Sequence, residues 1–438
     1  MFYYNIKANY KGNDEMKILE LFAGVGGFRV GLEHADEDFY QTKWSNQFEP
    51  ARKSQDAFEV YDYHYPDTDN INIDIQKIPD STFEKMDPDM IVGGFPCQDY
   101  SVARSLHNEM GIQGKKGVLF WEIIRSTRIT KPKYLILENV DRLLKAPAKQ
   151  RGRDFAIMLS AFNQLGYSVE WRVINAAEYG GPQRRRRVYF FVFRNDLPYA
   201  KKLDEEYENN TELEEDARYD NYIFKEGLFA KQFPIKQKPY KNRMAYYVLP
   251  DDIVDVSDEF TGKVFNTGVM RHGRYFTIDT QALGNEQAIP LKDTLQPENE
   301  VDEKYYVTDS TKIDKFAYLR GPKRIERTSK DGHKYIYSEG GMSPYEDLNL
   351  PSRTMLTSEG SVNRSTHWLK INGRYRLLTP IEAERLQKFP DNWTKYKLVN
   401  GEKKEVSDRM RMFFMGNALV TDIIERIGRQ LEQIEKNS

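Results

Sequence analysis

One cysteine, Cys97, stands in 438 residues. A single thiol cannot close an internal disulfide, and a zinc site built on several thiolates is excluded with it; no metal-ligand set is expected. A reducing compartment, the cytoplasm, is the default for such a chain. The sequence also lacks any apolar run approaching the ~20 residues that a membrane span requires. Residues 1–15 are polar and rich in Tyr and Asn, without the apolar core of a secretory signal, and read as a loose leader. Neither charge is in surplus. Lys and Arg number 65 against 67 Asp and Glu, a net charge of -2, so this is no generally basic nucleic-acid coat and any basic face must be local.

What is present suits a globular fold, with 30% charged and 39% hydrophobic residues and length enough for two domains of roughly 100–200 residues each. Residues 17–195 alternate short β-rich runs with amphipathic helical stretches, which predicts an α/β domain on a mainly parallel sheet. Ile18 to Leu21, Met90 to Val92, Tyr134 to Leu137 and Val188 to Phe193 read as strands; Phe28 to Ala35 and Leu119 to Ile129 read as helices. Residues 204–220 are acidic and read as a connector, and 221–350 lose the α/β rhythm. Helical patterning returns at Thr379, a plausible N-cap before Pro380, and a last helix is expected from Ala418 to Ile434.

Four clusters carry chemistry. Glu20-Leu21-Phe22-Ala23-Gly24-Val25-Gly26-Gly27 runs from a strand through a glycine-rich turn into a helix, the place where a nucleotide-like cofactor meets backbone. Gln47 and Phe48, after a second strand, and Asp74 and Ile75 extend the set toward ribose and adenine. Each alone suits a surface residue, and the set does not separate S-adenosylmethionine from a dinucleotide. Phe95-Pro96-Cys97-Gln98 follows a strand directly, with Pro96 stiffening the backbone beside an accessible thiol. Glu138 ends a buried strand, where an unpaired carboxyl costs several kcal/mol and therefore points to a ligand role. In Gln183-Arg184-Arg185-Arg186-Arg187, strand alternation sends Arg185 and Arg187 to one face.

In order along the chain, these blocks, with Arg353-Thr354 and Gly416-Asn417-Ala418-Leu419-Val420, resemble the cytosine-5 DNA methyltransferases of bacterial restriction–modification systems. The resemblance spans the chain outside 198–350. It implies a Rossmann-like α/β S-adenosylmethionine-dependent domain over 1–197, completed by 405–438. It also implies a smaller, irregular, strand-rich target recognition domain over 198–378 and a return segment over 379–404. It makes Cys97 the nucleophile, Glu138 the partner of ring nitrogen N3 and Arg187, with Arg185 nearby, the orienter of the base. Phe22, Ala23, Gly24, Val25, Gly26, Gly27, Gln47, Phe48, Asp74, Ile75, Pro96, Leu119, Asn417 and Ala418 match cofactor positions. Three departures stand out: Glu20 replaces a usual Asp, Gln47 replaces an acidic ribose ligand whose role would move to Glu49, and Ala418 replaces a usual Ser.

The chemistry so implied requires a flipped cytosine in duplex DNA. Thr267 to Arg274 is the expected reading loop, and Ser101, Arg271, Arg274, Arg353 and Thr354 are the expected DNA contacts. A cognate restriction endonuclease and a monomeric, cytoplasmic enzyme of bacterial type follow from the resemblance. An RNA-directed cytosine methyltransferase, a DNA-binding protein on a degenerate scaffold and a nicotinamide oxidoreductase are the competing readings. The long 198–350 insertion argues against the first, the intact Cys97, Glu138 and Arg187 set against the second, and the Phe95–Gln98 and Gln183–Arg187 blocks against the third.

Overall fold

The computed structural model describes residues 15–96, 119–209, 219–329 and 331–437. Its centre is a ten-stranded sheet of order β3-β2-β1-β4-β5-β7-β6-β9-β10-β8. The strands are β1 (Met16–Leu21), β2 (Tyr40–Asn46), β3 (Asp69–Ile71), β4 (Met90–Gly94), β5 (Tyr134–Val140), β6 (Tyr167–Asn175), β7 (Arg186–Arg194), β8 (Met244–Val248), β9 (Thr267–Arg271) and β10 (Arg274–Ile278). β1 through β5 pair in parallel. β7 enters antiparallel between β5 and β6. Strands buried on both faces read as continuous apolar runs, as Ile18, Leu19 and Leu21 do here, each at most 1% exposed.

Alternation divides those residues between two cores. Ile18, Val92, Ile136 and Phe191 face the closing helix Thr421–Lys436 through Ile423, Ile424, Ile427 and Leu431. Leu19, Leu21, Leu135, Leu137 and Phe190 face the helices Phe120–Thr130 and Arg153–Gln164. The helix Gly27–Asp36 packs so tightly on the closing helix that a Cβ on Gly31 would lie 2.6 Å from Ile424 Cβ.

Two expectations differ from the structure. The sheet does not stop before residue 198: β9 adds antiparallel to β6, and β10 and β8 continue from it. Strands of only five residues, MAYYV, TGVMR and RYFTI, leave too little periodicity to be read as a sheet extension. The expected last helix is present but starts later, at Thr421–Lys436, because Ala418 is extended (φ -61, ψ 158) and ends a separate, unexpected helix, Asp408–Asn417. Around Thr379 the expectation holds in detail. A capping box joins Thr379 to Glu382 at the start of Pro380–Leu386, and Arg376 grips the same carboxylate at 2.8 Å. No helix among the described residues is long and apolar enough to cross a membrane.

Candidate active site

Strand order reverses between β1 and β4, and ligands of open α/β sheets bind at the carboxyl ends beside such a switch. The glycine turn lies there. Phe22, Gly24 and Gly26 take φ of 55, 56 and 90. Ala23 N donates to Asn46 O at 3.1 Å, and Gly24 N donates to Gln47 Oε1 at 2.8 Å. Nothing lies within 4 Å of the position a Cβ on Gly24 would take, so the turn faces open space where a ligand can reach backbone. Val25 is buried, and its carbonyl accepts from Trp393 Nε1 at 2.7 Å, tying the turn to the return segment. Gly27 opens the following helix against Leu419 and Phe389.

Beneath the turn, Glu20 is fully buried. Tyr61 donates to its Oε2 at 2.9 Å, while Oε1 has no hydrogen-bond partner among the described residues. Burial pushes this carboxyl up to about 7. An unmatched buried carboxyl oxygen beside an open glycine turn fits a ligand carrying positive charge or N–H donors, and S-adenosylmethionine carries both a sulfonium and an ammonium.

Gln47 lies against the glycine turn. Its carbonyl oxygen is taken by Gly24 N, so it braces the turn. Glu49 stands nearby, paired with Arg52 at 3.3 Å and raised above the usual carboxylate range by burial. Phe48 is half-buried next to it. Asp74 caps a short helical turn, accepting from Gln76 N at 3.2 Å, and Ile75 is buried behind it. Pro96 is exposed just past β4 and Leu119 half-buried at the start of Phe120–Thr130. Asn417 is exposed and Ala418 half-buried at the break between the last two helices.

Cys97 and Ser101 lie outside the described residues. The elements that flank Cys97 are set: Gly94 ends β4 opposite Glu138 on β5, and Asn139 Nδ2 donates to Phe95 O at 2.8 Å, locking one strand end to the other. Glu138 Oε1 lies 2.9 Å from Arg187 Nε. Its Oε2 lies 3.1 Å from where a Cβ on Gly94 would sit, so a side chain there would press on the carboxyl. Burial raises Glu138 above the usual carboxylate range, against the pull of Arg187 and Arg185.

Arg185 and Arg187 share a face, and their surroundings divide their roles. Arg185 is 2% exposed and donates at 3.0 Å to both Met355 O and Gly416 O, so it knits 355 and 416 to the site. Burial and Arg187 lower it to about 9. Gln183 supports the same seam, accepting from Met355 N at 2.8 Å and donating to Leu386 O at 3.2 Å.

The expected DNA contacts scatter. Thr354 reaches the site, donating to Arg184 O at 2.6 Å. Arg353 is spent on Glu346 at 2.7 Å, a carboxyl it helps hold down at about 2. Arg271 is fully buried on Asp204 and Ala200 O, and Arg274 is paired with Glu208 at 2.7 Å. Moreover, β9 runs antiparallel to β6, so the turn after Arg271 lies at the start of β6, at the sheet edge opposite Glu138. Glu138 is level with Arg172 and Met270 with Val169, which puts the turn at His272 and Gly273 about 15–20 Å from the level of Glu138 along the strand. The expected reading loop is therefore not at the site. The segment 356–361 does lie beside the Arg185 seam: Leu356 and Thr357 backbone lies within 2.5 Å of a Cβ built on Gly416. This segment helps wall a cleft of ≈ 630 Å³ with Arg52, Ser407 and Arg409. Its Thr, Ser and Gly composition gave no signal in the sequence beyond a loop.

The comparisons place the whole chain in a family. The family model for C-5 cytosine-specific DNA methylase matches residues 16–433. The chain is 52% identical over 422 residues to the type II methyltransferase M.Sau3AI of Staphylococcus aureus, covering 96% of this chain and 97% of that one. It is 33% identical over 183 residues to M.HhaI of Haemophilus parahaemolyticus, covering 42% and 50%. Among solved structures, Dnmt2 of S. pombe superposes with a TM-score of 0.56 at 13% identity, covering 97% of this chain and 99% of that one, a likeness of fold. A match that runs from β1 into the closing helix, on a sheet that gathers the glycine turn, Glu138 and Arg187 at one edge, shows that this chain belongs to the C-5 cytosine-specific DNA methylase family.

Proposed function

We propose that this DNA methylase works through a covalent adduct between Cys97 and carbon 6 of a cytosine flipped out of duplex DNA. The observation that carries the reading is the Glu138–Arg187 pair, held at the carboxyl edge of the sheet beside the strand that leads into Cys97. Phe22 to Gly27, Phe48, Asp74, Ile75, Pro96, Leu119, Asn417 and Ala418 would hold S-adenosylmethionine, with Glu20 and Glu49 facing its polar groups. When bound, that cofactor supplies the methyl group as an electrophile.

The chain's own residues do the rest. The Cys97 thiolate adds to carbon 6, and the ring electrons move toward carbon 5, which alone is a poor nucleophile. Glu138, which burial raises above the usual carboxylate range, donates to N3 from its protonated form and stabilises the charge that develops there. Arg187 fixes that carboxyl and offers its remaining N–H groups to the base carbonyl. Arg185 acts as a positioning residue through Met355 and Gly416. Once carbon 5 is methylated, it loses its proton to a solvent water, the carbon 5–carbon 6 double bond re-forms as Cys97 leaves as thiolate, and N3 returns its proton to Glu138.

Carbon 6 is out of reach in a stacked duplex, so the base must leave the helix. The 354–361 segment, which touches Arg184, Arg185 and Gly416, is the surface that would read the site. The biological reading is a monomeric cytoplasmic enzyme that protects host DNA from a cognate endonuclease without forming a complex with it. Sequencing 5-methylcytosine in DNA from cells expressing the chain tests the activity and reports the site. DNA that carries no new 5-methylcytosine, or methylation confined to RNA, overturns the proposal.

A further inference from the structure

A second opening lies on the same edge of the sheet. It is a groove of ≈ 460 Å³ between the segment after β5, the start of β7 and the segment before β9. It joins the methylase core to the sheet extension: Asp141, Lys145, Arg151 and Arg186 come from the core, and Arg243, Lys263 and Asp279 from the extension. The lining thus holds five cations (Lys145, Arg151, Arg186, Arg243, Lys263) against two acids (Asp141, Asp279), in a chain of net charge -2.

The two acids are already used. Asp141 pairs with Arg186 at 3.2 Å and Asp279 pairs with Arg243. Lys145, Arg151 and Lys263 are exposed and have no ion pair among the described residues. The rim beside Arg243 is also held in a costly backbone shape, with Lys241 and Asn242 at φ 54 and 53.

Position decides what such a surplus serves. Val140, opposite Arg187 in the sheet, directly precedes Asp141, and Arg186 is the chain neighbour of Arg187. The groove therefore begins one residue from the candidate base-holding pair, on the opposite face of β7. A duplex that presents a cytosine to Glu138 lies across these strand ends and carries its phosphates over both rims.

We infer that this groove is a second DNA contact, in which Lys145, Arg151 and Lys263 hold backbone phosphates of the substrate duplex to one side of the target cytosine. The inference rests on the DNA methylase reading above. It gives the sheet extension a role in substrate binding separate from reading the sequence. Phosphate contacts carry no sequence information, so the groove sets affinity and register.

The test uses the full-length enzyme, a duplex bearing its methylation site near one end of a long arm, and the mirror duplex with the long arm on the other side. Wild type is expected to show a lower KM for one of these two arms. The variant Lys145→Ala/Arg151→Ala/Lys263→Ala is expected to lose that preference and to raise KM while kcat at saturating DNA holds. Three phosphates at about 0.9 counterions each would shrink its slope of log affinity on log salt by roughly 2.7. The charge-retaining variant Lys145→Arg/Arg151→Lys/Lys263→Arg should restore both, which separates lost charge from lost folding. An unchanged salt slope and arm preference in the alanine variant overturns the groove while leaving the methylase intact. A wild type that methylates neither duplex overturns the methylase reading instead.

Discussion

Each proposed catalytic residue has a distinct electrostatic task. Cys97→Ser keeps the shape and removes the nucleophile, so methylation should be lost while cofactor binding survives; radiolabelled methyl transfer and calorimetric titration with the cofactor check the two halves. A 5-fluorocytosine duplex, which cannot release the adduct by losing a carbon-5 proton, should trap wild type covalently at Cys97, and full activity in the serine variant would sink the covalent route. Glu138→Ala removes a positioned acid and should lower kcat by about 10²–10⁴-fold. Glu20 gives a pH signature in stability. Its folded value is raised to about 7 from 4.5, so between those values the folded state binds a proton that the unfolded chain has released. Stability from this group is full below pH 4.5 and falls as pH rises to about 7, by an amount on the order of 3 kcal/mol. Urea melts across that window should show the fall in the cofactor-free wild type and not in Glu20→Gln.

The elements are held by close contacts more than by propensity. The helices Gly27–Asp36 and Thr421–Lys436 meet at Gly31, where a methyl group would lie 2.6 Å from both Ile424 Cβ and Thr421 O. Gly31→Ala should therefore cost about 1–3 kcal/mol by overpacking, read as a lowered denaturation midpoint. Glu382 closes the capping box of Pro380–Leu386 and carries Arg376, both side chains fully buried. Glu382→Ala leaves that buried cation with only Glu298, at 3.8 Å, as counter-charge and should cost about 3–5 kcal/mol. The N-cap was legible because Thr379 and Pro380 sit at fixed offsets in a local motif. The close approach at Gly31 was not, because its partner is almost four hundred residues away along the chain.

At the scale of the molecule, the two edges of the sheet have different duties. The glycine turn, Glu138, Arg187 and the basic groove share the carboxyl edge, whereas the Arg271–Arg274 turn lies on the opposite one. Arg274→Ala should leave the methylated sequence unchanged, and substitutions at Thr357 or Ser361 should change it; 5-methylcytosine sequencing of each variant compares them.

The sequence by itself determined the parallel strands, the glycine turn and the chemistry-bearing blocks, because each is written in neighbouring residues whose spacing follows strand or turn geometry. Tertiary structure alone decided which arginines face the site. Burial and pairing committed Arg271 to Asp204, Arg353 to Glu346 and Arg185 to backbone carbonyls. A charged side chain looks the same in sequence whether it is spent on a distant carboxylate or left free for a phosphate, and only the folded chain brings its partner to it.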